Sequence, residues 1–307
     1  MSGPLLLADV GGTNVRFAMS RHAGQIENVC AYAASSYPQF SDALGAYLAE
    51  VTVRGCSLAG VRIAAAGPVE QGFVDLTNLP WRIEVAAIEK QVAAPVRLLN
   101  DLEAVAAFLP YVRDRDVTSI GADWRIGPPA TRLAINIGTG FGAATAHHID
   151  PGGWAITASE AGHMTLGPGA FSCWRDDAEL RHAVEDFLSG PSLVAWYRRR
   201  LGNAGGEAAS AAQVFAQASS NPRVAKLVDD FTQALGCVAG NLALAYAAWG
   251  GVFLCGSVVN GWKAAADAAA FRAAFCDKGK MRHRMTAVPT WQLVVPNPAL
   301  LGLSYTA

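Results

Sequence analysis

Asp9, Gly11, Gly12, Thr13 and Asn14 stand together at the end of the apolar run LLLADV. Gly138, Thr139 and Gly140 stand at the end of a second one, in the segment LAINIGTGFGAATA. Glycines in such turns admit positive φ and let backbone N–H groups approach an anion closely. Thr13, Asn14 and Thr139 add side-chain donors. Two turns of this kind suit the phosphates of one nucleotide, held from opposite sides of a cleft. Asp9 is out of place beside a phosphate unless a cation lies between them. Mg2+ resolves this, because it is hard, prefers oxygen and keeps several waters, so Asp9 would reach the metal through water. Neither turn is a Walker motif, since no GK[ST] follows, and IGTGFG lacks the GxGxxG spacing of dinucleotide sites. Taken singly, each turn reads better as a hairpin with no ligand.

Asp101 lies just past another apolar run, in RLLNDLEAVA. Carboxyl ends of strands are where α/β proteins build their sites. Phosphoryl transfer to an alcohol needs a carboxylate that accepts the hydroxyl proton, and Asp101 suits that task. Asn100 beside it can donate to, or accept from, a substrate hydroxyl. Both residue types are also favoured as helix N-caps, and that reading stands beside the catalytic one. Glu160 and His163, in SEAGHMTLG, could grip vicinal hydroxyls of a sugar, bind a metal, or simply decorate a surface loop. A catalytic metal would need a third protein ligand. Glu185, in VEDFLSGPSL, reads from spacing as a solvated residue on a helix that stops at Ser189–Gly190–Pro191. Asn78, in LTNLPW, reads as turn chemistry.

The elements that must position these residues alternate strand and helix, which indicates an α/β layer architecture. Strands are expected over 5–10 and 16–19, and 60–69 reads as a strand running into a Gly-Pro loop, with a helix over 37–53 that Ser41 or Asp42 could cap. Residues 75–83 read mostly as loop, followed by a short helix, VAAIEKQV. VRLLN then runs as strand into a helix, with Asn100 and Asp101 at the junction. Three glycine-containing strand segments follow from 133 to about 165. Helices are expected over 179–189, 192–201, 211–218 and 221–249, and 201–210 reads as a flexible loop. GGVFLCGSVVNG, 250–261, reads as a buried strand. The echo of ADVGGTN in INIGTGFG is an internal repeat, which would place the two turns in related halves.

The chain has 307 residues, enough for two domains, with 52% hydrophobic and 16% charged residues. Its net charge of −1, from 24 basic and 25 acidic side chains, offers no long basic run for nucleic acid or an anionic membrane. The six cysteines form no CxxC pair, so neither a zinc knuckle nor a redox dithiol is indicated. Reduced thiols and the lack of a basic, apolar leader fit a cytoplasmic enzyme. The apolar stretch 235–259 is broken by glycines and rich in small residues, which favours a buried core helix over a membrane span.

Ten stretches, in order, resemble the bacterial ATP-dependent glucokinase family of the actin/Hsp70/hexokinase superfamily. They are DVGGTNVRFA, LTNLPW, LLNDLEAVA, INIGTGFGAA, SEAGHMTLG, LSGPSLV, GNLAL, GGVFLCGSVVN, FRAAFCDKGK and NPALLGL, and they span nearly the whole chain. The resemblance implies a two-domain, actin-like ATPase fold with ribonuclease-H-like α/β halves and an interdomain cleft. The smaller domain would comprise 1–110 plus about 296–307, with the terminal segment returning as a short helix, and the larger one 111–295. It further implies Mg2+ with ATP, glucose as substrate, a homodimer and the 6-hydroxyl as acceptor. The two turns become its phosphate loops, Gly256 and Ser257 part of its adenosine segment, and Asp101 its general base. Asn78, Asn100, Glu160, His163 and Glu185 match its sugar contacts. Ser257 stands where the family usually has a second glycine, and Ala161 where it more often has one. The cysteine-rich zinc motif of the repressor/open-reading-frame/kinase branch is absent. A kinase of another hexose or of an N-acetyl amino sugar is the nearest alternative, and a non-catalytic sugar- or nucleotide-binding regulator the alternative of another class.

Overall fold

The structure, a computed structural model, describes residues 3–51, 57–67, 69–70, 72–76, 79–166, 183–202 and 210–306. The chain forms two compact units, Met1–Tyr111 with Pro296–Ala307, and Val112–Val295.

In the first unit, β1 (Leu5–Val10), β2 (Asn14–Ser20) and β3 (Glu27–Ala33) form an antiparallel meander. Then come α1 (Phe40–Glu50), β4 (Gly60–Ala65), the two-stranded ribbon of β5 (Phe73–Asp75) and β6 (Arg82–Glu84), and α2 (Val85–Val92). β7 (Val96–Asn100) leads into α3 (Asp101–Phe108). The sheet order is β3-β2-β1-β4-β7, with β1, β4 and β7 parallel. Alternation sends Leu6, Ala8 and Val10 of β1 to one face, where they meet Phe17, Ile63, Phe40, Leu44 and Tyr47 in one buried cluster. Phe17 stacks on Tyr47 with centroids 5.0 Å apart. Burying an aromatic or branched side chain of this kind contributes about 1.5–3 kcal/mol.

The second unit repeats the pattern. β8 (Val117–Ser119) is an edge strand, and β9 (Arg132–Ile137), β10 (Phe141–Ile149) and β11 (Gly153–Ser159) form a second antiparallel meander. Helices α4 (Gly190–Leu201), α5 (Ala211–Gln217) and α6 (Pro222–Ala245) precede β12 (Val252–Cys255). α7 (Ser257–Ala265), α8 (Ala268–Cys276), α9 (Arg282–Thr286) and β13 (Thr290–Leu293) complete it. Its sheet runs β11-β10-β9-β12-β13-β8, with β9, β12 and β13 parallel. Three antiparallel strands continued by two parallel ones is therefore the plan of both sheets, and the repeated turn lies between the first two strands each time. Leu133, Ile135 and Ile137 of β9 join Leu235, Val238, Val259 and Trp262 in the core, and the buried Trp262 N–H donates to Thr232 Oγ1 at 3.0 Å. The chain then returns to the first unit as α10 (Pro298–Leu303), where Gly302 lies so close to the Ala104 carbonyl that no side chain would fit.

Several expectations need correction. α1 starts at Phe40 after Gln39, so Ser41 and Asp42 lie inside its first turn and neither caps it. Among the described residues of 75–83, Asp75 closes β5, Arg82 and Ile83 open β6, and the rest is loop, as expected. The helix expected over 221–249 ends at Ala245. The strand expected over 250–261 ends at Cys255, and the rest is the start of α7. Among the described residues, no helix is long and apolar enough to cross a membrane.

Candidate active site

In the first unit the candidate residues gather at one edge of the sheet. Val10 pairs with Ala65, and Ala65 with Asn100, along parallel strands. The carboxyl ends of β1, β4 and β7 are thus level. The turn after Val10 and the junction at Asn100–Asp101 stand two strand spacings apart, roughly 10 Å. The turn is closed by Gly11 N–H donating to the Asn14 carbonyl at 3.0 Å. Gly11 and Gly12 are half-buried, while Thr13 and Asn14 are exposed.

Asp9 lies one residue before that edge and its side chain is only 16% exposed. Burial pushes its carboxyl above the usual aspartate range, and the nearby Arg16 partly opposes the shift. The two side chains are 3.3 Å apart, and Arg16 is the direct cross-strand partner of Asp9. Counting the hairpin register from the turn would have found this pair in the sequence. Arg16 is 42% exposed and holds the carboxylate through one nitrogen, so the acid keeps capacity for a further cation.

At the β7–α3 junction two roles that looked interchangeable separate by one residue. Asn100 is the N-cap: its Oδ1 accepts from Leu102 N–H at 2.9 Å and Glu103 N–H at 3.3 Å. Glu103 Oε2 answers by accepting from Asn100 N–H at 3.4 Å, completing a capping box. Asn100 Nδ2 donates to the Gly67 carbonyl at 3.3 Å. Asp101 is the first helical residue, half-buried, with Oδ1 2.9 Å from Leu102 N–H. The helix therefore has its cap without the Asp101 carboxylate. Asn100→Ala should cost about 1 kcal/mol of stability and loosen Asp101 as well, which thermal melts and kcat together would show. Asn78 lies outside the described residues.

In the second unit the same logic holds. Cys255 pairs with Asn136 across β12 and β9, so Gly138 and Gly256 leave the sheet at one edge. Gly138 N–H donates to the Gly140 carbonyl at 2.9 Å, and the Gly190 N–H donates to the Gly138 carbonyl at 2.8 Å. Gly256 has φ 103° and is boxed in by Asn136 Oδ1 and the Ile137 carbonyl, so only glycine fits. Ser257 is the exposed first residue of α7, and its Oγ faces the Gly138 turn.

Glu160 and His163 follow β11, whose last residue, Ser159, pairs with Ala143 near the start of β10. They flank a 3-10 turn over Ala161–His163 in which Ala161 is buried. His163 Nε2 and Glu160 Oε2 are 3.9 Å apart and both side chains are largely exposed. Among the described residues no group of three or more His, Cys, Asp or Glu side chains could hold a metal. Glu185 is not the solvated helix residue that its spacing suggested. It sits half-buried in a 3-10 turn, Val184–Asp186, with Oε2 accepting from Phe141 N–H at 2.8 Å. Part of the helix expected over 179–189 falls outside the described residues. Ser189–Gly190–Pro191 starts α4 rather than ending a helix, with Ser189 as N-cap. A serine followed within two residues by proline is a start signal, and reading it so would have moved Glu185 to its proper element.

A duplicated three-antiparallel, two-parallel sheet with a glycine turn between its first two strands defines an actin-like fold of the hexokinase-type sugar kinases. The glucokinase family model matches residues 6–307. A glucokinase from Chromobacterium violaceum is 34% identical over 98% of this chain and 88% of its own. One from Paramagnetospirillum magneticum is 32% identical over 99% and 97% respectively. The crystal structure of a glucokinase from an Antarctic psychrotroph superposes with a TM-score of 0.84 at 27% identity, covering 99% of this chain and 98% of the other. The chain belongs to the glucokinase family, and ATP-dependent phosphorylation of glucose is the activity that this membership supports.

Proposed function

We propose that this chain transfers the γ-phosphoryl group of ATP to the 6-hydroxyl of glucose, giving glucose 6-phosphate and ADP, with Asp101 as general base. The observation that carries the assignment is the division of labour at the β7–α3 junction. Asn100 caps the helix, and Asp101 next to it stands at the carboxyl end of β7, level with the glycine turn of β1. The 6-hydroxyl oxygen attacks phosphorus in line, the bond from phosphorus to the bridging oxygen breaks, and its electron pair leaves with ADP. The hydroxyl proton goes to Asp101. A base of this kind contributes about 10²–10⁴-fold in rate, and positioning and charge stabilisation supply the larger share.

Backbone N–H groups of the two glycine turns, apart from those of Gly11 and Gly138 that close them, would bind phosphate oxygens, and Gly256 and Ser257 would border the adenosine. Glu160, His163, Glu185, Asn78 and Asn100 would hold sugar hydroxyls. For Asn100 this leaves the N–H of its amide, since Oδ1 is committed to the cap. The donor chemistry also fits Mg2+: one buried, partly compensated carboxylate, Asp9, with the remaining ligands supplied by water and phosphate. Bound there, the ion would neutralise phosphate charge. The proposed setting is that of the resembling family, a cytoplasmic homodimer.

Glu160 and His163 alone do not discriminate between hexose epimers, so a panel of glucose, mannose, fructose, N-acetylglucosamine and N-acetylmannosamine with Mg-ATP in a coupled ADP assay is the test. The expected outcome is a kcat/KM for glucose at least tenfold above every other sugar. A higher value for any other sugar would reassign the substrate.

A further inference from the structure

Glu185 has a partner that its place among the sugar contacts does not explain. Its Oε2 accepts the Phe141 N–H at 2.8 Å, and Phe141 immediately follows the turn of Gly138, Thr139 and Gly140. A side chain on Gly140 would run into that same carboxylate, and one on Gly162 would stand 3.6 Å from it. One carboxylate therefore binds the residue that follows the phosphate turn and lies beside the loop that carries Glu160 and His163. Its own backbone is pinned. The Glu185 carbonyl accepts from Ser192 Oγ at 2.8 Å, and the neighbouring Val184 N–H donates to the Met164 carbonyl at 2.9 Å. The turn is tied from its other side by Gly190 N–H to the Gly138 carbonyl at 2.8 Å. A carboxylate is the strongest acceptor available for a backbone N–H, and its position responds to any second donor that it receives.

We propose that Glu185 couples sugar occupancy to the phosphate turn: a sugar hydroxyl donating to its carboxylate sets where Oε2 lies, and the Phe141 N–H carries that setting to Gly138–Thr139–Gly140. This rests on the glucokinase reading and adds a consequence to it. Sugar and nucleotide then bind synergistically through contacts that lie wholly within the second unit. The coupling is reciprocal, so each ligand tightens the other by the same factor.

The test is calorimetric titration of a non-hydrolysable ATP analogue with Mg2+, with and without saturating glucose, on wild type, Glu185→Gln and Gly140→Ala. Wild type should bind the analogue about fivefold or more tightly with glucose present, the lower end of such couplings. Glu185→Gln keeps a carbonyl oxygen for the Phe141 N–H but presents an NH2 where the carboxylate would accept the sugar hydroxyl, so it should bind glucose more weakly and its factor should also fall below about twofold. Gly140→Ala keeps the carboxylate but displaces it, and its factor should fall below about twofold. A folded Gly140→Ala with wild-type coupling, or a wild type that binds both ligands with a factor near one, would overturn the proposal. Should Gly140→Ala not fold, amide exchange decides. Phe141 N–H should exchange about tenfold faster in Glu185→Ala than in wild type while the rest of β10 keeps its protection, and unchanged exchange refutes the coupling. A wild type that binds neither ligand contradicts the kinase reading itself, a distinct result.

Discussion

Asp101→Asn lowers kcat by about 10²–10⁴-fold, the range a single general base supplies, with KM for glucose changed little. The substitution keeps size and a hydrogen-bonding oxygen, so the contact to Leu102 N–H survives. The capping box belongs to Asn100 and Glu103 and is untouched. The melting temperature should therefore stay near that of wild type, and the loss should fall on the chemical step alone. What disappears is the ability to take a proton from the 6-hydroxyl as its oxygen bonds to phosphorus. Steady-state kinetics at saturating glucose and Mg-ATP, paired with a melt, measure both parts. Turnover within a few-fold of wild type would remove Asp101 from the mechanism. A collapse in thermal stability would mean that the carboxylate serves the fold.

Asp9→Asn gives the second large effect, in opposite directions for activity and stability. Losing the carboxylate proposed to hold Mg2+ should lower kcat/KM for Mg-ATP by about 10²–10³-fold, as for removal of one preorganised electrostatic partner. Without ligands, the same change should raise the melting temperature at neutral pH. Burial raises the folded-state pKa of Asp9 above 3.8, with Arg16 only partly offsetting it. The folded protein therefore holds this proton more tightly than the unfolded chain, and stability contributed by the neutral form is lost as pH rises through the folded pKa. Above that value the buried carboxylate is a cost, which the amide avoids. Arg16 is exposed enough to be solvated once its partner is gone. The stability gain of Asp9→Asn should shrink as pH falls towards the ordinary aspartate value of 3.8. Melts of both proteins across acid to neutral pH, without metal or nucleotide, test the sign. A less stable variant at neutral pH would contradict the account.

How much of this was legible in the sequence depended on how local the signal was. β1, its glycine turn and the junction at Asn100–Asp101 carry strong local signals: an apolar run, a turn composition and a polar pair before a helix. Their arrangement at one edge follows from parallel register, with Val10 paired to Ala65 and Ala65 to Asn100. Which of the two caps the helix could not be read from residue type, since Asn and Asp both do so; a one-residue offset in the helix start assigns the cap to Asn100. Glu185 was misplaced for a different reason. Its decisive contact is to a backbone N–H 44 residues away, and no periodicity reports such a bond. The strand over 250–261 was read too long because Val258 and Val259, buried on α7, continue the apolar run of β12. Gly256, with its positive φ, marks the break.

The most direct measurement is the chemical identity of the product when purified protein, Mg-ATP and glucose are combined, read by proton-detected phosphorus NMR. The account predicts one new phosphate ester whose phosphorus couples to the two protons on carbon 6 of glucose, formed together with an equal amount of ADP, and lost with Asp101→Asn. Phosphorus coupled to the proton on carbon 1, or ADP released with inorganic phosphate and no sugar ester, would contradict it.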